Sequence, residues 1–236
     1  MRSFIVMGMF IVSFAQAGPR DYQEDRDLSV NSGNITQFSI DAGAGSLDIT
    51  GVEGYDRIVV NATIVVSNTD KDKALRLIEH DMTLSLDAKG GEAHLKSWFD
   101  RGLLGMGPDA YIALQITVPK GLAITIDDGE GSIDVNNVEG DIVIDDGSGS
   151  IDIRNALRVE IDDGSGSIEV ERTDGDVTIV DGSGSISVRA VGGSVSIDDG
   201  SGSIAVTDVE RDLVIIDDGS GGLRYADIRG KVDAET

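Results

Sequence analysis

The chain has 236 residues, of which 40% are hydrophobic and 4% aromatic, with 31 glycines, no cysteine and a formal net charge of −24. Absent cysteine excludes disulfides, thiolate metal sites and a cysteine nucleophile, and the strong negative field repels nucleic acid and anionic lipid. With so few aromatics the core has to come from Ile, Val and Leu, which favours β structure.

Met1 to Ala17 read as a secretory signal: Arg2 gives a positive start, Phe4 to Phe14 an apolar run, and Ala15-Gln16-Ala17 a small-x-small cleavage site. The run is too short to cross a bilayer, so the mature chain is expected to begin near Gly18 with no membrane span. No cysteine follows to carry a lipid, and Gly230 to Thr236 is polar. The expected location is the periplasm, the cell surface or the medium. Residues 18–27 are polar and are expected to be flexible, with the folded domain covering 28–236.

Phe38 to Ile49 gives a first, degenerate copy of a motif that returns later, Gly51 to Gly54 turns, and Arg57 to Ser67 alternates as a strand with apolar Ile58, Val60, Ile64 and Val66. An insertion follows over about 68–110. Asp70 can cap a short helix reaching Asp81, with Ala74, Leu75 and Ile78 on one face. Met82, Leu84 and Leu86 then alternate, and Gly90-Gly91 turns the chain into a second hairpin strand, Ala93 to Phe99. Asp100 to Asp109 is a glycine-rich loop carrying Leu103, Leu104 and Met106, an apolar patch if exposed. Tyr111 to Val118 resumes strand structure, and Pro119-Lys120-Gly121 leads into the array.

From Leu122 to Ile228 one unit repeats. The residue closing each Asp-Gly-Ser-Gly turn falls at Ser132, Ser150, Ser167, Ser185, Ser203 and Gly222, in steps of 18, 17, 18, 18 and 19 residues. One strand per unit carries the inward pairs Ile133/Val135, Ile151/Ile153, Ile168/Val170, Ile186/Val188 and Ile204/Val206. The other carries Ile124/Ile126, Ile142/Ile144, Val159/Ile161, Val177/Ile179, Val195/Ile197 and Val214/Ile216. A third apolar column lies at the turn between them: Val138, Ala156, Val191, Val209 and Ile228, with Thr173 as its odd member. No unit can bury these side chains alone, but coils stacked about 4.8 Å apart make three continuous aliphatic ladders. The fold class is therefore all-β: a single β-solenoid of about 18-residue coils with a small helix-plus-hairpin insertion. An up-and-down sandwich with similar strand spacing is the rival, but it would not need the same turn residues once per two strands.

Two acidic columns run through the turns. The second Asp is present in all six copies, at Asp128, Asp146, Asp163, Asp181, Asp199 and Asp218, and reads as a corner device, since Asp before Gly forms an Asx turn. The first is Asp127, Asp145, Asp162, Asp198 and Asp217, with Val180 interrupting. Stacked carboxylates repel unless solvated or bridged by cations, so these five form a candidate calcium-binding ladder, although neither a calcium β-roll nonapeptide nor an EF-hand loop is present. Residues 122–228 carry 25 acidic side chains against six basic ones, Arg154, Arg158, Arg172, Arg189, Arg211 and Arg224. An outward column of Asp134, Asp152 and Glu169 fades to Ser187, Ala205 and Arg224. His80 and His94 lie on the helix and the hairpin and, without cysteine, make no metal site. The serines belong to turns, with no base held near any of them by a motif. Because an active site is normally a departure from the repeat, a carbohydrate-active enzyme would have to use a non-repeated acid such as Glu130. Asn34-Ile35-Thr36 and Asn61-Ala62-Thr63 match the glycosylation sequon.

Val118-Pro119-Lys120-Gly121, followed by units such as Gly131-Ser132-Ile133-Asp134-Val135 and Gly140-Asp141-Ile142-Val143-Ile144, resembles the bacterial adhesin-type β-solenoid domains. The likeness extends to the early degenerate coil and the inserted helix and hairpin, and so covers most of the mature chain. It implies a solenoid of the cell envelope without enzymatic activity, having a structural or adhesive role toward an envelope protein or surface glycan. The Asp-Asp-Gly-Ser-Gly richness departs from that pattern and adds calcium-binding as the alternative.

Overall fold

The computed structural model describes residues 21–100 and 109–234. The secretory-signal pattern and the Leu103–Met106 patch lie outside them. The chain enters through β1 (Tyr22–Asn31), β2 (Gln37–Ala44), β3 (Leu47–Val52) and β4 (Arg57–Val66). A helix, α1 (Lys71–His80), leads into β5 (Met82–Lys89), β6 (Glu92–Phe99) and β7 (Ala110–Pro119). The array opens with β8 (Ala123–Asn136), then β9 (Asp141–Asp146), β10 (Gly149–Ala156), β11 (Arg158–Asp163) and β12 (Gly166–Thr173). It continues through β13 (Val177–Asp181), β14 (Gly184–Val191), β15 (Val195–Asp199), β16 (Gly202–Val209), β17 (Leu213–Asp217), β18 (Gly222–Ile228) and β19 (Val232–Ala234).

Two parallel sheets result. The first half of β8, then β9, β11, β13, β15, β17 and β19, stack as a front sheet. The second half of β8, then β10, β12, β14, β16 and β18, stack as a back sheet. Equivalent residues meet: Ile133, Ile151, Ile168, Ile186 and Ile204 are neighbours in one ladder, and Ile126, Ile144, Ile161, Ile179 and Ile197 in another. All are buried, as are Val138, Ala156, Thr173, Val191 and Val209 of the third column. The fold is the expected β-solenoid. Alternation with period two sends one side of each strand inward, and only stacking removes it from water.

The degenerate first copy is a true coil. β2 pairs in parallel with the first half of β8, and β3 with the second. The intervening segment does not interrupt the stack but closes its end. β6 pairs in parallel with β2 and β7 with β3, while β5, β4 and β1 add antiparallel strands outside them. Residues 22–27, expected to be flexible, are the first half of β1. Their alternating polar sequence hides a strand held by ten paired positions on β4, from Tyr22↔Val66 to Asn31↔Arg57. The cap of α1 is as read: Asp70 Oδ1 accepts the Lys73 N–H at 3.0 Å. Ala74 and Ile78 are buried, but Leu75 is 39% exposed, at the margin of the apolar stripe.

One register expectation fails. In the last coil Leu213 and Ile215 point inward, whereas Val214 and Ile216 are exposed, Ile216 at 58%. The 19-residue step places one extra residue inside β17. A bulge lets Ile197 face Ile215 while Asp198 faces Asp217, so Ile216 is extruded. Counting back from the turn crosses that bulge and inverts the parity.

Candidate functional site

The front and back sheets meet at the Asp-Gly-Ser-Gly corner, where the next coil lies directly underneath. Gly131, Gly149, Gly166, Gly184 and Gly202 have φ between +150° and +158°. A Cβ at Gly149, Gly166, Gly184 or Gly202 would sit 1.5 Å from the carbonyl oxygen of the same glycine one coil earlier. Glycine is required there by close approach as well as by φ. The corner is tied coil to coil by backbone bonds, Gly147 N–H to Asp128 O at 3.0 Å, Gly164 to Asp146 at 2.9 Å and Gly182 to Asp163 at 2.8 Å.

This stacking turns each corner Asp into a column. The first Asp of each pair points outward. Asp41, Asp127, Asp145, Asp162, Val180, Asp198 and Asp217 are successive register neighbours on the front sheet. The five residues expected as a cation ladder are thus brought into one line, extended by Asp41 and broken by Val180. Lys96 stands beside Asp41 at one end. The neighbouring outward column, Thr125, Val143, Glu160, Thr178, Ser196 and Val214, adds no positive charge. Stacked charges about 4.8 Å apart repel by about 1 kcal/mol in water, a cost that solvent and loosely held cations can carry.

The back sheet carries a second outward line, Asp48, Asp134, Asp152, Glu169, Ser187 and Ala205. Here the adjacent column holds arginines. Arg154 reaches Asp152 at 2.6 Å, and Arg189 reaches Glu171 at 2.8 Å. The back line is therefore offset in part, at Asp152 and more distantly at Glu169 (4.0 Å from Arg189), whereas the front line meets only Lys96 in register among the described residues.

The second Asp of each pair turns inward. Asp128, Asp146, Asp163, Asp181 and Asp199 are between 0% and 4% exposed. The Asx turn read from the sequence is present: the Oδ1 atoms of Asp163, Asp181 and Asp199 accept the N–H of Ser165, Ser183 and Ser201 at 3.0–3.1 Å. It accounts for one oxygen only. Oδ2 of each is buried without a hydrogen-bond partner, as are Oδ2 of Asp128 and both oxygens of Asp146. Burial pushes all five carboxyls above the usual carboxylate range, Asp128 to about 7 and Asp181 to about 6. The last copy departs from the rule. Asp217 rather than Asp218 makes the turn, accepting the Gly219 N–H at 2.8 Å, and Asp218 is not buried. The turn reading missed the inward direction, for which the sequence held a signal: Asp146 shares the parity of Ile142 and Ile144.

The opposite corner was not read from the sequence. Asn137, Asn155, Arg172, Ala190, Asp208 and Asp227 all adopt φ of +57° to +60°, and each immediately precedes a member of the third apolar column. Asn155 Nδ2 donates to Asn137 Oδ1 at 2.6 Å, and Arg172 Nε to Asn155 Oδ1 at 2.8 Å. Asn137, Asn155, Arg172, Ala190 and Asp208 line a shallow trough along the solenoid with Glu139, Asp174 and Glu210. Asn137, Asn155, Asp208 and Asp227 are of the residue types that favour a left-handed conformation, and Arg172 and Ala190 are not.

The histidines stay on separate elements, His80 ending α1 and His94 lying on β6 beside Glu92 at 3.3 Å. Among the described residues no three His, Asp or Glu side chains are grouped so as to hold a metal ion, and no helix is long and apolar enough to cross a membrane.

Fold and corner together define a parallel β-solenoid, capped by antiparallel strands at its first end and presenting a line of carboxylates outward and another inward. No family model matches the chain, and no curated protein matches it significantly. Among solved structures it is similar to a putative cell adhesion protein from Clostridium sporogenes, with 12% identity over 90% of this chain and 100% of that one, at a TM-score of 0.42. It is also similar to a putative lipid binding protein from Parabacteroides distasonis, with 15% identity over 89% of this chain and 93% of that one, at a TM-score of 0.38. A putative adhesin from Parabacteroides merdae gives 10% identity over 89% of this chain and 96% of that one, at a TM-score of 0.29.

Proposed function

We propose that the chain is an exported, non-enzymatic cell-envelope protein with a structural or adhesive role, and that the front-sheet Asp ladder is its contact face. The observation that supports this reading is repetition in register. Asp127, Asp145, Asp162, Asp198 and Asp217 present the same charge coil after coil along one line, whereas catalysis needs different groups converging on one reacting atom. Export rests on the leader pattern of Met1 to Ala17. A rigid line of carboxylates, with Lys96 the one basic side chain in register with it among the described residues, suits a partner with spaced positive charge, either a basic envelope protein or a surface glycan that bears amines.

The test is binding of the purified chain to envelope fragments of the producing cells. The D127N/D145N/D162N variant should bind at least about tenfold more weakly, and wild-type binding should fall as salt screens the ladder. Equal binding by the two proteins would remove the ladder from the interface.

Calcium is the second reading, favoured by the same stacking, with these five aspartates as its ligands. Melting in calcium and in EDTA separates the two. A midpoint raised by calcium in the wild type but not in the Asn variant supports a calcium module, and equal midpoints in calcium and EDTA sink it.

A further inference from the structure

The two ends of the solenoid are finished differently. At the first end β5 is the outermost front strand and β1 the outermost back strand. The helix α1 lies against both, since Leu75, Ile78 and Glu79 share a groove with Arg26 of β1 and with Met82 and Leu84 of β5. Ala74 and Ile78 are buried in the same cluster as Phe38, Ile40 and Leu95. The inward columns thus stop under a helix whose exposed residues are mostly charged.

The last end has no such lid among the described residues. There β18 pairs with β16 alone and β19 with β17 alone, so each leaves one backbone edge open. In β18, Leu223 continues the column of Ile204, Tyr225 that of Val206 and Ile228 that of Val209, and in β19 Val232 continues that of Leu213. Ile204, Val206, Val209 and Leu213 are at most 1% exposed, but Tyr225 is 49% exposed and Val232 39%. Tyr225 is also the one aromatic residue after Tyr111, and it stands where Val135, Ile153, Val170, Val188 and Val206 stand in the earlier coils. A repeat array stays soluble when its terminal units turn a polar face outward. This unit turns an apolar one.

Whatever covers this end must pair an open strand edge and extend the apolar columns together. A second copy of the same end does both. A two-fold axis normal to the sheets sets β18 antiparallel to β18 of the other copy and keeps inward side chains inward. It also uses the whole of β18, seven residues, whereas an axis along the strands would set β18 against the three residues of β19. Charge points the same way. Residues 219–234 carry Arg224, Arg229 and Lys231 against Asp227 and Asp233, a positive balance in a chain of net charge −24. The level before it, residues 201–218, carries Asp208, Glu210, Asp212, Asp217 and Asp218 against Arg211. End-on contact therefore joins two copies where repulsion is least and holds their acidic levels apart.

We propose that the open β18–β19 end is a self-association surface, through which two copies join tail to tail into a closed dimer with one continuous core. Because α1 covers the first end, the contact is made once per chain and the assembly stops at two. Front sheet then meets front sheet. The lines from Asp41 to Asp217 of the two copies lie on one side of a rod twice as long, whatever those lines bind. A strand of seven residues is about 23 Å long and facing sheets lie about 10 Å apart. With outward side chains included, the end covers on the order of 500 Å² per copy, at the low end of specific interfaces, so the dimer is of micromolar strength or weaker.

Sedimentation velocity of the purified chain from about 5 µM to about 500 µM covers that range. The mass should rise from one copy to two and no further. Tyr225→Glu puts a charge inside the joint and should weaken the dimer at least about tenfold. Leu75→Glu changes an exposed apolar residue at the helix-covered end and should leave the dimer as it is. A monomer at every concentration, growth past two copies, or a dimer that Tyr225→Glu weakens no more than Leu75→Glu overturns the proposal. If Tyr225→Glu does not fold, cross-linking decides. The chain has no cysteine, so Ala226→Cys, at an exposed position of β18, and Leu75→Cys each introduce a single thiol. A bismaleimide should link Ala226→Cys into a two-copy product and leave Leu75→Cys as single chains at the same concentration. Linking of neither variant, of both alike, or of Leu75→Cys alone overturns the proposal.

Discussion

Thr173 shows what a single atom costs in this core. It occupies the third inward column, in register with Ala156 on one side and Val191 on the other. It is 2% exposed, and its hydroxyl has no hydrogen-bond partner. A buried hydroxyl that is not satisfied carries a desolvation penalty of about 1–3 kcal/mol, and valine has nearly the same shape. Thr173→Val should therefore stabilise the protein by about 1 kcal/mol, read as a higher urea midpoint at unchanged slope. A fall in midpoint would mean that the hydroxyl has a partner in solution. At this scale the sequence was readable wherever side-chain chemistry and parity agreed, as for Ile144 or Val170. It misled where they disagreed. Asp146 looks like a corner residue and was assigned to the turn, but its position in the alternation carries it inward. The left-handed column could not be read at Arg172 or Ala190, because neither residue type favours that conformation and only the stacked corner enforces it.

Among elements, the corner is the least forgiving. The Asp-Gly-Ser-Gly motif is often treated as flexible, but here its second glycine is fixed by the coil below. Gly166→Ala would bring a methyl to 1.5 Å from the Gly149 carbonyl oxygen, and its three nearest neighbours are all Gly149 backbone atoms, with no side chain that could move. Gly90, in the β5–β6 turn, has φ +67° but nothing within 4 Å of its missing Cβ. Gly90→Ala should cost about 1–2 kcal/mol, the price of a left-handed residue. Gly166→Ala should cost about 4 kcal/mol or more and abolish soluble expression or cooperative unfolding. Comparable urea midpoints for the two variants would show that the corner yields. The strand β17 marks the limit of periodic reading at this scale. Its 19-residue step announced an extra residue without locating it, and placing that residue in the turn rather than in the strand inverted Val214 and Ile216.

For the molecule as a whole, the array was the legible part because its signal repeats, and a fault in one coil is corrected by the next. The cap was less legible. β1 is polar and alternates weakly, and its strand character comes from β4, which it covers. The consequence of stacking can be tested by removing a coil. Deleting Gly164 to Asp181 takes out 18 residues and joins Asp163 to Gly182, which restores the corner sequence. β11 would then stack on β15 in the front sheet and β10 on β14 in the back, with Ile161 meeting Ile197 and Ile151 meeting Ile186, because each column carries equivalent residues at every level. Thr173 and Val180 leave with the deleted coil, so the outer ladder becomes continuous. In a stacked array each coil contacts only its neighbours. The shortened chain should therefore keep its far-UV spectrum and unfold cooperatively, with a denaturant slope reduced in proportion to the surface removed. Deleting only Gly164 to Arg172 removes nine residues and with them the back-sheet strand β12. A front strand would then be followed by another front strand, with the corner lost, and that chain should not fold. If both deletions fold equally well, the coils are not the interchangeable units that the register implies. If both fail, the array is stabilised as one block and not by neighbour contacts.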